Sequence, residues 1–152
     1  MRISLGLISN ELSSRGRPGG TPAKEPSTGA HRRPTILIVE DEVLIRLTVG
    51  EFLREANYRV LECANATEAK AALESKESIE LIFTDIHLPG NITGFELADW
   101  IRNQYPDVKV LVTSASADLS TAAGYGKERG PVLYKPYALD ELLAQVKRLL
   151  LS

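Results

Sequence analysis

The chain has 152 residues, 43% of them hydrophobic, with a formal net charge of -2 and a single cysteine, Cys63. That size suits one globular domain, one cysteine excludes an internal disulfide and fits a reducing compartment, and no apolar run approaches the roughly 18 residues of a membrane span. Charge is uneven: residues 1–33 hold six Lys/Arg against two acids and the remainder holds 12 against 18, so the body is acidic and does not favour nucleic acid.

The opening stretch MRISLGLISN is too polar for a secretory signal. A cytoplasmic location is therefore expected, and the sequon at Asn91-Ile92-Thr93 is coincidental. Residues 11–34 are rich in Gly, Pro, Ser and Arg and have no apolar periodicity. Such a segment cannot bury enough surface to offset its ordering entropy. Residues 1–33 are expected to form a mostly disordered basic tail, in which His31 has no role, with one folded domain over 34–152.

From Thr35 the pattern changes. TILIV (35–39) is a continuous apolar run, expected of a strand covered on both faces. Residues 42–56 read as a helix, with Ile45, Val49, Phe52 and Ala56 on one side and Asn57 closing it in a left-handed conformation. YRVLEC (58–63) is a second strand. Asn65 with Glu68 resembles a capping box that opens a helix to about Glu74. IELIFT (79–84) is a third strand. A helix is expected over 95–104, stopped at Tyr105-Pro106. VKVLVT (108–113) is a fourth strand. Residues 118–129 are weakly helical and carry Gly124 and Gly126. PVLY (131–134) is a short fifth strand. Leu139, Leu142, Leu143, Val146, Leu149 and Leu150 give the clearest amphipathic helix. Strands alternating with helices indicate an α/β fold, a doubly wound parallel sheet with helices on both faces. In such sheets functional residues gather outside the carboxyl ends of the strands.

At those ends stand Glu40-Asp41-Glu42, then Asp85, then Thr113-Ser114-Ala115, then Lys135-Pro136-Tyr137. Each group alone has a plainer reading. Asp85 would be a turn former, the acids a helix's first turn, Ser114 a turn residue and Lys135 a solvated lysine. His87 lacks a second His or Cys nearby, and Cys63 reads as a small buried residue. Together they suggest more. Crowded carboxylates repel one another unless a positive charge sits between them. A hard cation such as Mg²⁺ needs only one or two carboxylates plus water and a phosphate oxygen. Lysine suits a phosphoryl oxygen, a hydroxyl adds a donor, and a carboxylate can accept a phosphoryl group as an acyl phosphate.

The ordered set ILIVEDE, LIFTDIHLPG, TSA and KPY resembles the receiver domains of two-component response regulators, over residues 34–151. The resemblance implies a flavodoxin-like, five-stranded sheet of order 2-1-3-4-5. It implies that Asp85 is the phosphoacceptor, Asp41 a Mg²⁺ ligand and Glu40 the second acid of the metal pair, acting through water. It further implies that His87 offers a backbone carbonyl to the metal, that Ser114 is the switch hydroxyl, and that Lys135 is the family's lysine, followed by a cis peptide to Pro136. The implied donor is a phosphohistidine on a histidine kinase or histidine phosphotransfer protein, docking on the first helix, where Leu44 and Leu47 are additional apolar residues.

The chain departs from the family pattern in places. Glu40 replaces the usual aspartate, the loop from Asp85 to Gly94 looks one residue longer, and Val132 stands where many members carry a rotating aromatic. Ala138 is a poor N-cap for the last helix. The sequence ends right after that helix, so a stand-alone receiver is expected, a monomer or weak dimer signalling through protein contacts or onward phosphotransfer. It is expected to be a phosphoacceptor that assists its own phosphorylation and dephosphorylation, not an enzyme, with no nucleic-acid or membrane partner. One rival is a Mg²⁺-dependent phosphatase using an aspartyl phosphate; such enzymes carry a second acid two residues after the nucleophile, where this chain has His87. Another is a degenerate receiver that binds partners without phosphorylation. Neither G-x-x-x-x-G-K-[ST] nor G-x-G-x-x-G occurs, which argues against a nucleotide-binding fold.

Overall fold

The computed structural model describes residues 32–115, 124–127 and 129–152, and the compact unit containing them runs from Arg32 to Ser152. The expected tail lies outside the described residues, apart from its last two positions. So does much of the weak helix expected over 118–129, of which 124–127 and 129 are helical.

Among the described residues, five parallel strands form one sheet in the order β2-β1-β3-β4-β5. They are β1 (Thr35–Val39), β2 (Arg59–Cys63), β3 (Leu81–Asp85), β4 (Lys109–Ser114) and β5 (Val132–Tyr134). Every residue of β1 and β3 is buried. That is the reason these central strands read as unbroken apolar runs, whereas the edge strand β2 does not. Alternate side chains feed two separate cores. Leu37, Val39 and Ile82 enter one with α2 (Ala66–Glu74), α3 (Gly94–Gln104) and Tyr125. Ile36, Ile38 and Phe83 enter the other with α1 (Val43–Glu55) and the C-terminal helix (Leu139–Leu150). No helix among the described residues is long and apolar enough to cross a membrane.

The helix ends explain the local boundaries. Asn57 closes α1 with φ 73°, as its residue type suggests. At α2 the Asn65 side chain accepts from Glu68 N–H at 2.8 Å, but Glu68 reaches back to Ala64 N–H instead of to Asn65, so the expected box is displaced by one residue. The full reciprocal box is at α3, where Thr93 Oγ1 accepts from Glu96 N–H and Glu96 Oε2 from Thr93 N–H. Thr93, which falls in the expected lengthened loop from Asp85 to Gly94, is thus a helix cap. Ala138 caps nothing with its side chain. Glu141 compensates by accepting from Ala138 N–H at 3.1 Å.

Candidate functional site

Register brings the predicted residues together. Val39 of β1 is level with Thr84 of β3, so the next residues, Glu40 and Asp85, emerge side by side. Asp85 is level with Thr113 of β4, and Ser114 with Tyr134 of β5. Lys135 follows at once, its N–H donating to Ser114 O at 2.8 Å, and the Lys135-Pro136 peptide is cis. The Lys135 ammonium bonds to Asp85 Oδ2 and lies 3.7 Å from Glu40 Oε2.

Both carboxylates are buried, Glu40 at 4% and Asp85 at 6% exposure. Burial foremost, then the charge of Asp85, pushes the Glu40 carboxyl up to about 7, against the lowering pull of Glu42 N–H and Lys135. Burial works against the Lys135 charge, but its bond to Asp85 and the negative charges of Asp85 and Glu40 outweigh that and raise it. The Tyr137 phenol is pushed up to about 12, by burial first and then by Glu40 and Asp85. Its ring meets Phe83 edge-on at 6.1 Å. One lysine therefore faces more negative charge than it neutralises, in a partly desolvated pocket.

The other candidates sit around this pair. Asp41 and His87 are exposed. His87 N–H donates to Asp85 Oδ1 at 2.9 Å, which fixes the orientation of that carboxylate. Ser114 is buried, its hydroxyl donating to Ala115 O at 3.1 Å. Among the described residues, no three His, Cys, Asp or Glu side chains are grouped so as to hold a metal ion by themselves. Magnesium does not need such a cage, because it keeps several waters and takes substrate oxygens as ligands.

Three supporting residues were not read from the sequence. Arg46 donates to Glu40 O at 2.6 Å and lies 3.8 Å from the Glu62 carboxylate, tying α1 and β2 to the acidic loop. Gly50 makes room for that carboxylate, since a Cβ there would lie 2.6 Å from Glu62 Oε1. Gly94 N–H donates to Ile86 O at 2.7 Å and packs onto the backbone beneath Asp85. The only sequence signal was Gly50 inside the helical pattern of 42–56; Gly94 fell in the expected loop, and Arg46 gave none.

The sequence pattern of the response regulator receiver domain matches residues 36–147. The regulatory protein VanRB of Enterococcus faecalis is 34% identical over 115 residues, which cover 76% of this chain and 51% of that protein. A signal receiver domain of an HD domain-containing protein from Pseudomonas fluorescens is 30% identical, with a TM-score of 0.71 over 78% of this chain and 88% of that one. A response regulator receiver protein from Sinorhizobium medicae is 26% identical, with a TM-score of 0.72 over 80% of this chain and 97% of that one. The chain spans from about a quarter to about half the length of curated relatives such as the regulators PfeR, VanRB and NtrC. The order of the strands, the residues at their ends and these matches agree: the chain belongs to the response regulator receiver domain family of two-component signalling.

Proposed function

We propose that the chain is a phosphoacceptor: Asp85 takes a phosphoryl group from a phosphohistidine, with Mg²⁺ present. The observation that carries this reading is the Lys135 ammonium held between the buried Asp85 and Glu40 carboxylates at the strand ends. In the transfer a donor nitrogen–phosphorus bond breaks and a bond from an Asp85 carboxylate oxygen to phosphorus forms. Lys135 moves its contact from the carboxylate to a phosphoryl oxygen, and Ser114 turns its hydroxyl from Ala115 O toward another. The donor set offered to a metal, Glu40, Asp41, Asp85 and the His87 carbonyl, is all oxygen and suits a hard cation. Two buried carboxylates facing one lysine suit any cation. Bound Mg²⁺ would neutralise charge on the transferring group. The site then serves signalling and not turnover of a substrate.

The partner surface we assign is α1. Leu44 and Leu47 are 76% and 50% exposed, which disfavours their packing on the C-terminal helix. Leu44 also lines an open apolar groove of about 420 Å³ with Ile45, Pro136 and Tyr137, next to Lys135. A helical phosphohistidine donor resting there would reach Asp85. Leu47→Glu is expected to slow transfer from the cognate kinase and to spare labelling by a small phosphodonor.

The decisive experiment is incubation with Mg²⁺ and acetyl phosphate or phosphoramidate, followed by intact mass. The expected result is one added phosphoryl group, absent in Asp85→Ala. Undiminished labelling of Asp85→Ala overturns the assignment. No labelling of the wild type, with partner binding retained, favours a phosphorylation-independent interaction module.

A further inference from the structure

The opposite end of the sheet carries a feature that phosphoryl transfer does not use. Arg32, Arg33, Arg54 and Arg59 line one open depression of about 450 Å³, with Tyr58 and Val60. They come from three segments: the approach to β1, the last turn of α1 and the start of β2. The fold thus gathers four guanidinium groups in a unit, residues 32–152, that carries 14 Lys/Arg against 18 acids. Three of them have acid partners: Arg32 with Glu80, Arg54 with Glu62 at 2.6 Å, and Arg59 with Glu77. Arg33 makes no ion pair among the described residues. Glu62 is also shared with Arg46 on its other side, so among the described residues the depression keeps a positive excess.

These pairs are open to exchange. The side chains of Arg32, Arg54 and Arg59 are about half exposed or more, and exposed ion pairs contribute little. Guanidinium groups bind phosphate oxygens in bidentate fashion, and several converging on one ligand outcompete single carboxylates. The depression is concave and of small-molecule size. A flat lipid surface or a double helix would touch only its rim. Apolar lining is limited to Tyr58 and Val60, which suits a strongly charged ligand over a greasy one.

We propose that this depression is a binding site for a soluble oligophosphate, an anion with at least two adjacent phosphoryl groups, independent of the Asp85 site. The anion lies between Arg33 and Arg54, with Arg59 and Arg32 closing on it. Its source is either inorganic or a nucleoside polyphosphate, and only the latter would use the Tyr58 ring.

The test uses the full chain, metal-free, at constant ionic strength. Inorganic triphosphate is titrated while amide chemical shifts are followed, and its affinity is measured by calorimetry. The expected result is saturable shifts at Arg33, Tyr58, Arg59 and Val60, and affinity at least tenfold weaker in Arg33→Gln/Arg54→Gln. Because Arg54 holds Glu62, that variant is checked for folding. Arg33→Gln alone, which removes no ion pair among the described residues, is expected to weaken binding several-fold with an unchanged melting temperature. ATP binding more than threefold tighter than triphosphate assigns the nucleoside form, and equal binding the inorganic one. Shifts confined to Lys135 and Asp85, shifts reproduced by chloride, unchanged affinity in both variants, or binding only to anionic vesicles each overturn the proposal.

Discussion

A Cβ atom on Gly94 would lie 1.9 Å from the carbonyl oxygen of Asp85 and 2.8 Å from its carbonyl carbon. Both are backbone atoms of the strand end that carries the acid, so nothing flexible can yield. Gly94→Ala is therefore expected to destabilise the domain by about 2–3 kcal/mol and to slow labelling of Asp85 by displacing its carboxylate. Urea unfolding and intact mass measure the two effects. An unchanged urea midpoint would contradict the close approach.

Lys135 is the cation between two buried acids. Lys135→Met leaves Glu40 and Asp85 facing each other, and stability at pH 8 is expected to fall by about 1–3 kcal/mol, a range reduced for the 26% exposure of the lysine. Millimolar Mg²⁺ should recover part of the loss, and Lys135→Met/Glu40→Gln should be more stable than Lys135→Met alone. A double variant no better than the single one would remove carboxylate repulsion as the cause.

Cys63 gives a pH signature away from this site. Its thiol is buried, contacts Ile38 O at 3.5 Å, and is pushed up to about 12, by burial first and then by the charge of Glu68. The unfolded thiol loses its proton near 9, so unfolding releases a proton between about pH 9 and 12. This contribution to stability is fully present below pH 9 and is lost as pH rises through the folded value. At pH 8 alkylation should proceed only through opening of the structure and slow in proportion to stability. Rapid stoichiometric alkylation of the native protein would refute the burial.

Tyr125 anchors the short helical segment at 124–127. It stacks on Phe95 at 4.3 Å and its hydroxyl accepts from Arg102, while Arg102 and Arg129 also lie over its ring. Tyr125→Ala should cost about 3–4 kcal/mol, whereas Tyr125→Phe, which keeps the stack, should cost about 1 kcal/mol. Since Val132 has no ring to rotate, phosphorylation is expected to change hydrogen exchange most between residues 116 and 130. Changes confined to the surroundings of Asp85 would place the response elsewhere.

The strands were legible because both faces of β1, β3 and β4 are covered, which leaves no room for polar alternation. Their end residues were legible for a topological reason: parallel strands deliver all carboxyl ends to one edge. Sequence could not show that Glu40 and Asp85 are buried and Asp41 exposed. All three follow apolar strands, and only register against the neighbouring strand separates them. Arg46 escaped notice because an arginine on an amphipathic helix ordinarily reads as its solvent face. Thr93 was obscured because it lies in the stretch from Asp85 to Gly94 that reads as a lengthened loop, although its partner Glu96 already stands in the expected helix. Gly50 and Gly94 owe their identity to contacts with Glu62 and Asp85, which are distant in sequence and therefore silent in it.

The two cores on opposite faces of the sheet carry a consequence for how such a protein can diversify. Tyr137 and the C-terminal helix belong with one core, with Leu44 in the groove beside Tyr137, and Tyr125, Phe95 and Val132 belong with the other. Substitutions confined to one side share few neighbours with those on the other, so their effects should add. If α1 is the donor surface, as proposed, a lineage could then rewrite which kinase it hears on that side while conserving the Tyr125 side, and the reverse. On the proposed function, the buried sheet would keep the two vocabularies apart, and the Asp85 end of β3 would be where they meet.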